Sequence, residues 1–419
     1  MGIEPHPPAR VRAHAPTGEP ARIKRLSAVE FVALIAMLAA TIAFSIDAIL
    51  PALPAIGAEL SPGAPNATQL IIVGFVAGMG GGTLFAGPMS DALGRKPVML
   101  GGAALYCAAA AAATVMPTLE GVVIARVLQG IGASGPRVVA MALIRDLYAG
   151  REMARISSYV MMTFTLVPAI APMLGAWILA LTDWRGVFWA FVLFSAISGT
   201  WLAVRQPETL APSARRPLRL DRLRFAFGEV VRHRQVRRAI GAQTLVFGVL
   251  FSAIVSMQAI YDVAFGRADT FPYWFGMVAL LSGGASFLNA RLVVRVGMIY
   301  LLRRALGVHL VLSVALALSW TILPEAARFP LFLVWQTASF ALAGATIGNL
   351  NAIAMAPLGH VAGMASSIVS SVATMVSILL AAPVGLLFDG TPVPLVTGGA
   401  IFAGIGLLLV LGLDEPETD

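Results

Sequence analysis

From Gln69 to Ala86 and again from Val98 to Pro117 the chain carries no charged residue, and the stretch between them, Gly87-Pro-Met-Ser-Asp-Ala-Leu-Gly-Arg-Lys-Pro97, gathers charge and turn formers. Two uncharged runs of about 20 residues with so short a connector read as membrane helices folded back on each other. Gly94 permits the tight reversal. Asp91 falls near the C-terminal end of the first helix, where the macrodipole disfavours an anion, so its carboxylate calls for a cation such as Arg95 or Lys96. Basic residues in a cytoplasmic connector also follow from the positive-inside rule, and for Arg95 and Lys96 alone that reading is equally good.

The pattern continues along the chain. With a window of roughly 20 apolar residues per span, helices are predicted near 27–50, 67–88, 98–116, 119–143, 156–181, 186–204, 239–262, 272–293, 302–323, 330–354, 363–387 and 394–413. The expected fold class is an all-α membrane protein of 12 transmembrane helices in two six-helix bundles. A chain that is 58% hydrophobic and 12% charged, with a mean hydropathy of +0.85, carries about half the charge of soluble domains and belongs in a bilayer.

Charge placement sets the orientation. Of the 29 basic residues, 24 fall in segments that are cytoplasmic if the N-terminus is; only Arg185, Arg267 and Arg328 fall outside, and Arg126 and Arg137 lie within a span. Both termini are expected in the cytoplasm, in a bacterial plasma (inner) membrane. The long polar interruption Arg205 to Arg238 divides the helices six and six. The expected units are a disordered tail at 1–26, an N-terminal bundle at 27–204, a cytoplasmic linker at 205–238, a C-terminal bundle at 239–413 and a tail at 414–419. Within the linker, 218–240 reads either as a helix on the inner leaflet or as a solvated basic segment. The connector Asn289 to Gly297 is a basic, glycine-ended echo of Gly87 to Lys96, as a duplicated transporter would show.

Several functions are excluded or disfavoured. The proline-rich, basic first 26 residues lack the apolar core of a signal peptide. One cysteine, Cys107, allows no internal disulfide, and five scattered histidines give no metal-ligand spacing. The basic residues form no patch interleaved with aromatics, so no nucleic-acid partner is expected. No G-x-x-x-x-G-K-[S/T] loop occurs, and Gly130-Ile-Gly-Ala-Ser-Gly135 matches the dinucleotide fingerprint without a preceding strand, which makes it helix packing. The few polar positions do not assemble a nucleophile, base and orienting group, so no enzyme is expected. No ring of repeated polar residues suggests a channel. What remains is transport driven by an ion gradient, without cofactor or metal, by a chain expected to act as a monomer on a small-molecule substrate.

Ionisable residues inside a span are functional candidates because their insertion costs about 2.5 to 3.5 kcal/mol on lenient scales. Asp47 and Arg126 are each expected roughly 6 to 10 Å below the outer surface, the matched depth an ion pair needs. Asp47 could instead cap the outer end of helix 1. Arg137, eleven residues after Arg126, shares its helix face and is expected to look into a wet cavity, as a substrate contact or as a partner of Asp146. Gly74, Gly78 and Gly82 form a stripe for close helix approach. Pro168, Pro172 and Gly175 are expected to bend helix 5 and free carbonyls near its centre.

These residues carry a family resemblance. Gly87, Asp91, Gly94, Arg95 and Lys96 resemble the signature loop between helices 2 and 3 of the major facilitator superfamily. Val167 to Gly175 resembles its antiporter motif, with Ala171 and Ala176 in place of two glycines. Asp47 to Pro54, Gly87 to Pro97, Arg126 to Ala133, Ile144 to Tyr148 and Asn349 to Ser367 resemble the bicyclomycin and chloramphenicol resistance group (Bcr/CflA type) of drug:proton antiporters. The resemblance implies multidrug efflux by alternating access, with Asp47 and Arg126 at the central cavity and Asp91 latching helix 2 to the start of helix 11, assisted by Arg95 and Asp146. Ala92 stands where the group has arginine, and Ala39 where related exporters carry a second carboxylate. A metabolite exporter or proton symporter on the same fold is the alternative.

Overall fold

The computed structural model describes residues 26–218 and 220–415, and within them the polypeptide is almost wholly helical. Twelve long helices run in sequence: α1 Ala28–Asp47, α2 Leu70–Leu93, α3 Arg95–Ala113, α4 Leu119–Leu147, α5 Gly150–Leu181, α6 Trp184–Arg205, α7 Arg234–Ala259, α8 Phe271–Val296, α9 Met298–Ser319, α10 Glu325–Met355, α11 Ala362–Leu386 and α12 Val393–Leu411. Eleven of them belong to the apolar spans long enough to cross a bilayer, and the apolar part of α5, Leu166–Leu181, is shorter. The tail expected at 1–26 lies almost entirely outside the described residues, as does most of 414–419.

Five helix starts lie several residues earlier than the apolar runs suggest: Arg95, Gly150, Arg234, Met298 and Glu325. All but the turn at Met298 begin on charged or polar sequence, which hydropathy does not count although the backbone hydrogen bonding continues through it. Ser27, Thr118 and Asp183 accept backbone N–H bonds at the starts of α1, α4 and α6.

Glycine-backed contacts hold the first half together. A Cβ on Gly78 of α2 would lie 2.0 Å from the Val127 carbonyl of α4, and one on Gly130 of α4 would lie 2.0 Å from the Phe75 carbonyl of α2. The stripe Gly74, Gly78, Gly82 is therefore the seat of α4, and Gly132 and Gly135 seat α3 on the other side of the same helix. The dinucleotide-like run is a packing surface, as its apolar surroundings predict.

The halves meet along two helix pairs, α2 with α11 and α5 with α8. Ser371 Oγ of α11 donates to the Gly80 carbonyl at 2.7 Å, and Gly276 of α8 packs against the Ala169 carbonyl. Helix α5 is continuous through Pro168 and Pro172, and Gly175 brings it against the backbone of Ala48 beyond α1. Both prolines lie in a helix packed between α1 and α8.

The linker holds an amphipathic helix, Leu220–Arg232. Ala226 and Val230 are buried in the cluster formed with α7 and the start of α11, so this face docks on protein. Phe225 and Phe227 remain about half exposed on its other sides.

Candidate functional site

Three arrangements matter: a charged cluster at the end of α2, a buried centre around Arg126, and a cavity between the halves.

Gly94 adopts φ +111°, a conformation that side chains avoid, and turns α2 directly into α3. The turn places the Arg95 guanidinium across three acceptors: Asp91 Oδ1 at 2.5 Å, Ser90 Oγ at 2.7 Å and Asp146 Oδ2 at 3.1 Å. The turn at Gly94 thus brings Asp91, Arg95 and Asp146 together, while Lys96 Nζ donates instead to the Ala203 carbonyl at 2.6 Å. The expected tie from Asp91 to the start of α11 is not made: among the described residues its carboxylate is held by Arg95 within its own half, while Gly87 packs near Ser367 of α11.

One member of the cluster was not read from sequence. Glu208, just beyond α6, receives the backbone N–H groups of Arg95 at 3.0 Å and Lys96 at 3.0 Å, capping α3. The second half repeats the device: Gly297 turns α8 into α9 with φ +83°, and Glu415, beyond α12, receives the Ile299 N–H at 2.7 Å. A glutamate within four residues of the last helix of each half, Glu208 after Arg205 and Glu415 after Leu411, is the sequence signal that points to it.

Arg126 is fully buried in the first half, which corrects the expectation that it shares a cavity face with Arg137. Its Nη2 donates to the Ser45 carbonyl at 2.8 Å, its Nη1 to Gln129 Oε1 at 2.8 Å and its Nε to the Ile71 carbonyl at 3.3 Å. The Phe75 ring lies 4.3 Å from the guanidinium carbon, with Phe188 and Phe191 farther out. Ser45 itself hydrogen-bonds to the Tyr106 hydroxyl.

The expected Asp47–Arg126 ion pair is absent. Asp47 is buried at 4% exposure, and no donor among the described residues pairs with its carboxylate. The reason is angular: Asp47 follows Ser45 by two residues, roughly 200° around the helix, so it leaves α1 on the side away from Ser45 and Tyr106. The helical path does not end at Pro51: after a break that follows Asp47, helical segments continue through Leu50–Ala52 and Leu53–Leu60.

A cavity of about 790 Å³ opens between α2, α4 and α11 on the face that carries Asp91. Arg137 lies in its wall, with Thr83 and Ser370. On the opposite face the halves are joined: Asn66 Nδ2 donates to the carbonyls of Phe388 at 2.8 Å and Leu386 at 3.2 Å, and the Gln69 side chain fills the space beside Gly385. Among the described residues no group of three or more His, Cys, Asp or Glu side chains could hold a metal ion.

Two six-helix halves touching along two helix pairs, joined on one face and hollow on the other, form an architecture that membrane transporters use. Comparison with known proteins agrees. The profile of the Major Facilitator Superfamily matches residues 33–382, and the chain belongs to that family. It is 28% identical to the "Bicyclomycin resistance protein homolog" of Haemophilus influenzae over 367 residues, 87% of this chain and 91% of the relative. Over 165 residues, 39% of each chain, it is 36% identical to the "Chloramphenicol resistance protein" of Pseudomonas aeruginosa. Over 171 residues it is 33% identical to "Multidrug resistance protein MdtL" of Escherichia coli K12, covering 40% of this chain and 44% of the relative. In fold it is similar to a D-xylose-proton symporter, with a TM-score of 0.71 at 13% identity over 93% of this chain and 99% of the other. The human organic anion transporter MFSD10 aligns at a TM-score of 0.62 and 18% identity, over 92% and 100%.

Proposed function

We propose that the protein is a proton-driven exporter of amphipathic small molecules, resident in a bacterial inner membrane and working by alternating access. The observation that carries this reading is the near full-length similarity to a bicyclomycin resistance homologue, joined to a cavity that is closed on one face only. Basic residues outnumber their counterparts on the Asn66 face by 24 to three, which supports a cytoplasmic Asp91 face and cytoplasmic termini. The structure then corresponds to the inward-facing state, able to load substrate from the cytoplasm or inner leaflet.

In this reading Asp47 is the proton carrier. It is a buried carboxylate without a partner, seated at a break in a spanning helix, where a rigid-body movement of the halves changes its surroundings. Arg126 holds the break in place through the Ser45 carbonyl, two residues upstream. The Asp91, Arg95 and Asp146 cluster governs closure of the cytoplasmic face. Expression of the intact chain in a host lacking its own pumps, scored for susceptibility to a broad compound panel, tests the export reading. Resistance to bicyclomycin, chloramphenicol or another amphipathic compound is expected, and its loss on collapse of the proton gradient. Unchanged susceptibility across the panel in cells that hold the protein in the membrane counts against it.

A further inference from the structure

Arg137, a candidate substrate contact by sequence, takes no part in the proton path proposed above, and its setting is chemically specific. It stands ten residues before the end of α4, roughly 15 Å below the Asp91 face, and Thr83 of α2 is equally deep. Its Nη1 is shielded from solvent and hydrogen-bonds to nothing among the described residues, while other parts of the residue border the cavity. The expected pairing with Asp146 is not made: the two lie nine residues apart on α4, about 13.5 Å along its axis, and Asp146 instead meets Arg95 and Thr209. A guanidinium at this depth with donors in hand is incomplete: it is satisfied by an acceptor that the protein does not itself provide.

The rest of the cavity points the same way. Among the described residues its wall carries Arg95, Arg137, Arg145 and Arg216 against one carboxylate, Asp91, and Asp91 is held at 2.5 Å by Arg95. Helix α11 begins at the same wall with Ala362 and Gly363, and its N-cap residue Val361 offers no capping side chain, so the positive end of the helix dipole faces the space. Thr83 and Ser370 add hydroxyls at the inner end, and Phe85, Val138 and Met141 supply an apolar wall.

We propose that Arg137 binds the anionic group of an amphipathic substrate whose apolar body lies along α2 and α4, while the start of α11, nearer the Asp91 face, adds to the positive field at the cavity entrance. A carboxylate accepts two parallel bonds from a guanidinium, so carboxylate-bearing amphiphiles are the preferred class. This deepens the exporter reading above and rests on it for direction, but the binding preference stands on the cavity alone. Expelling an anion would also be assisted by an inside-negative potential, in the same sense as proton entry.

The test uses the full-length protein in phosphatidylcholine nanodiscs and three probes with one apolar body: 2-naphthoate, 2-naphthamide and 2-naphthylmethylammonium. Calorimetric titration is expected to show 2-naphthoate binding about tenfold or more tighter than the amide, as a charge-assisted pair predicts, and the ammonium weakest. Arg137→Gln is expected to bring carboxylate and amide within about twofold, with amide binding retained as proof of a folded site; Arg137→Lys should keep part of the preference. Equal binding of carboxylate and amide by the wild type, tighter binding of the ammonium, or an undiminished preference in Arg137→Gln overturns the proposal. Loss of the preference when phosphatidylglycerol replaces phosphatidylcholine would assign the anion site to a lipid headgroup and overturn the substrate assignment. A failure of the exporter reading is separately visible: carboxylate preference in nanodiscs with no proton-coupled flux of any probe in proteoliposomes.

Discussion

Asn66 and Phe388 are 322 residues apart in the chain, yet the Asn66 amide donates to the Phe388 carbonyl at 2.8 Å and to Leu386 beside it. A side chain of the first half thereby meets the last carbonyl of α11 and one just beyond it in the second half, where a helix leaves acceptors unpaired. The bond exists only while this face is closed. Asn66→Ala removes an interaction worth about 1 kcal/mol net, which is roughly a fivefold change in a two-state equilibrium. Spin labels at positions 63 and 390 should report that gain in the separated population, and an unaltered distance distribution would show that the closed face does not depend on Asn66.

The twin caps Glu208 and Glu415 should act on stability in parallel. Replacing either with Ala removes the acceptor at the start of α3 or α9 and is expected to cost about 1 kcal/mol. Since the two caps sit in different halves, the double variant should lose the sum. Thermal unfolding of purified protein in detergent measures both; a Glu208→Ala variant as stable as wild type would contradict the cap.

Helix seats give a sharper contrast. Gly130→Ala places a methyl 2.0 Å from the Phe75 carbonyl, so α2 and α4 must part, at about 1 to 3 kcal/mol or more. Gly101→Ala meets no atom within 4 Å and should be neutral or stabilising by up to about 1 kcal/mol. The same unfolding assay reads both variants, and equal melting temperatures would remove the seat.

For the charged cluster, Asp91→Asn leaves Arg95 its bonds to Ser90 and Asp146 but weakens the one at 2.5 Å. Substrate affinity should stay within about twofold while turnover slows severalfold, as expected of a group that governs closure without touching substrate. Transport at the wild-type rate would reduce Asp91 to a marker of topology.

Much of this was legible in the sequence. The twelve spans follow from apolar run length, and Gly94, Arg95 and Asp91 from a connector too short for anything but a tight turn. Arg126, Arg137 and Asp47 stand out because charge inside a span is costly. Rotational detail was not legible: Asp47 and Arg126 match in depth, but the side of α1 from which Asp47 projects depends on the break after it, which hydropathy reads through. Glu208, Asn66 and Glu415 escaped notice because polar residues in loops are ordinary, and only the folded chain shows that each meets an unpaired helix end. For 218–240 the sequence left a helix on the inner leaflet and a solvated basic segment equally open, because an amphipathic pattern does not distinguish a lipid surface from the protein face on which Ala226 and Val230 are buried.

The central claim, that Asp47 carries the proton, is tested most directly by proton movement in proteoliposomes. With purified protein, a trapped pH-sensitive dye and an imposed pH gradient, substrate should elicit proton flux through the wild type. Asp47→Asn should show none while still exchanging labelled substrate between the two sides, and Arg126→Ala, which frees the Ser45 carbonyl that fixes the break, should lose both activities. Substrate-elicited proton flux through Asp47→Asn at the wild-type rate would contradict the account and move the carrier elsewhere, with Asp262 beyond the end of α7 the next carboxylate to examine.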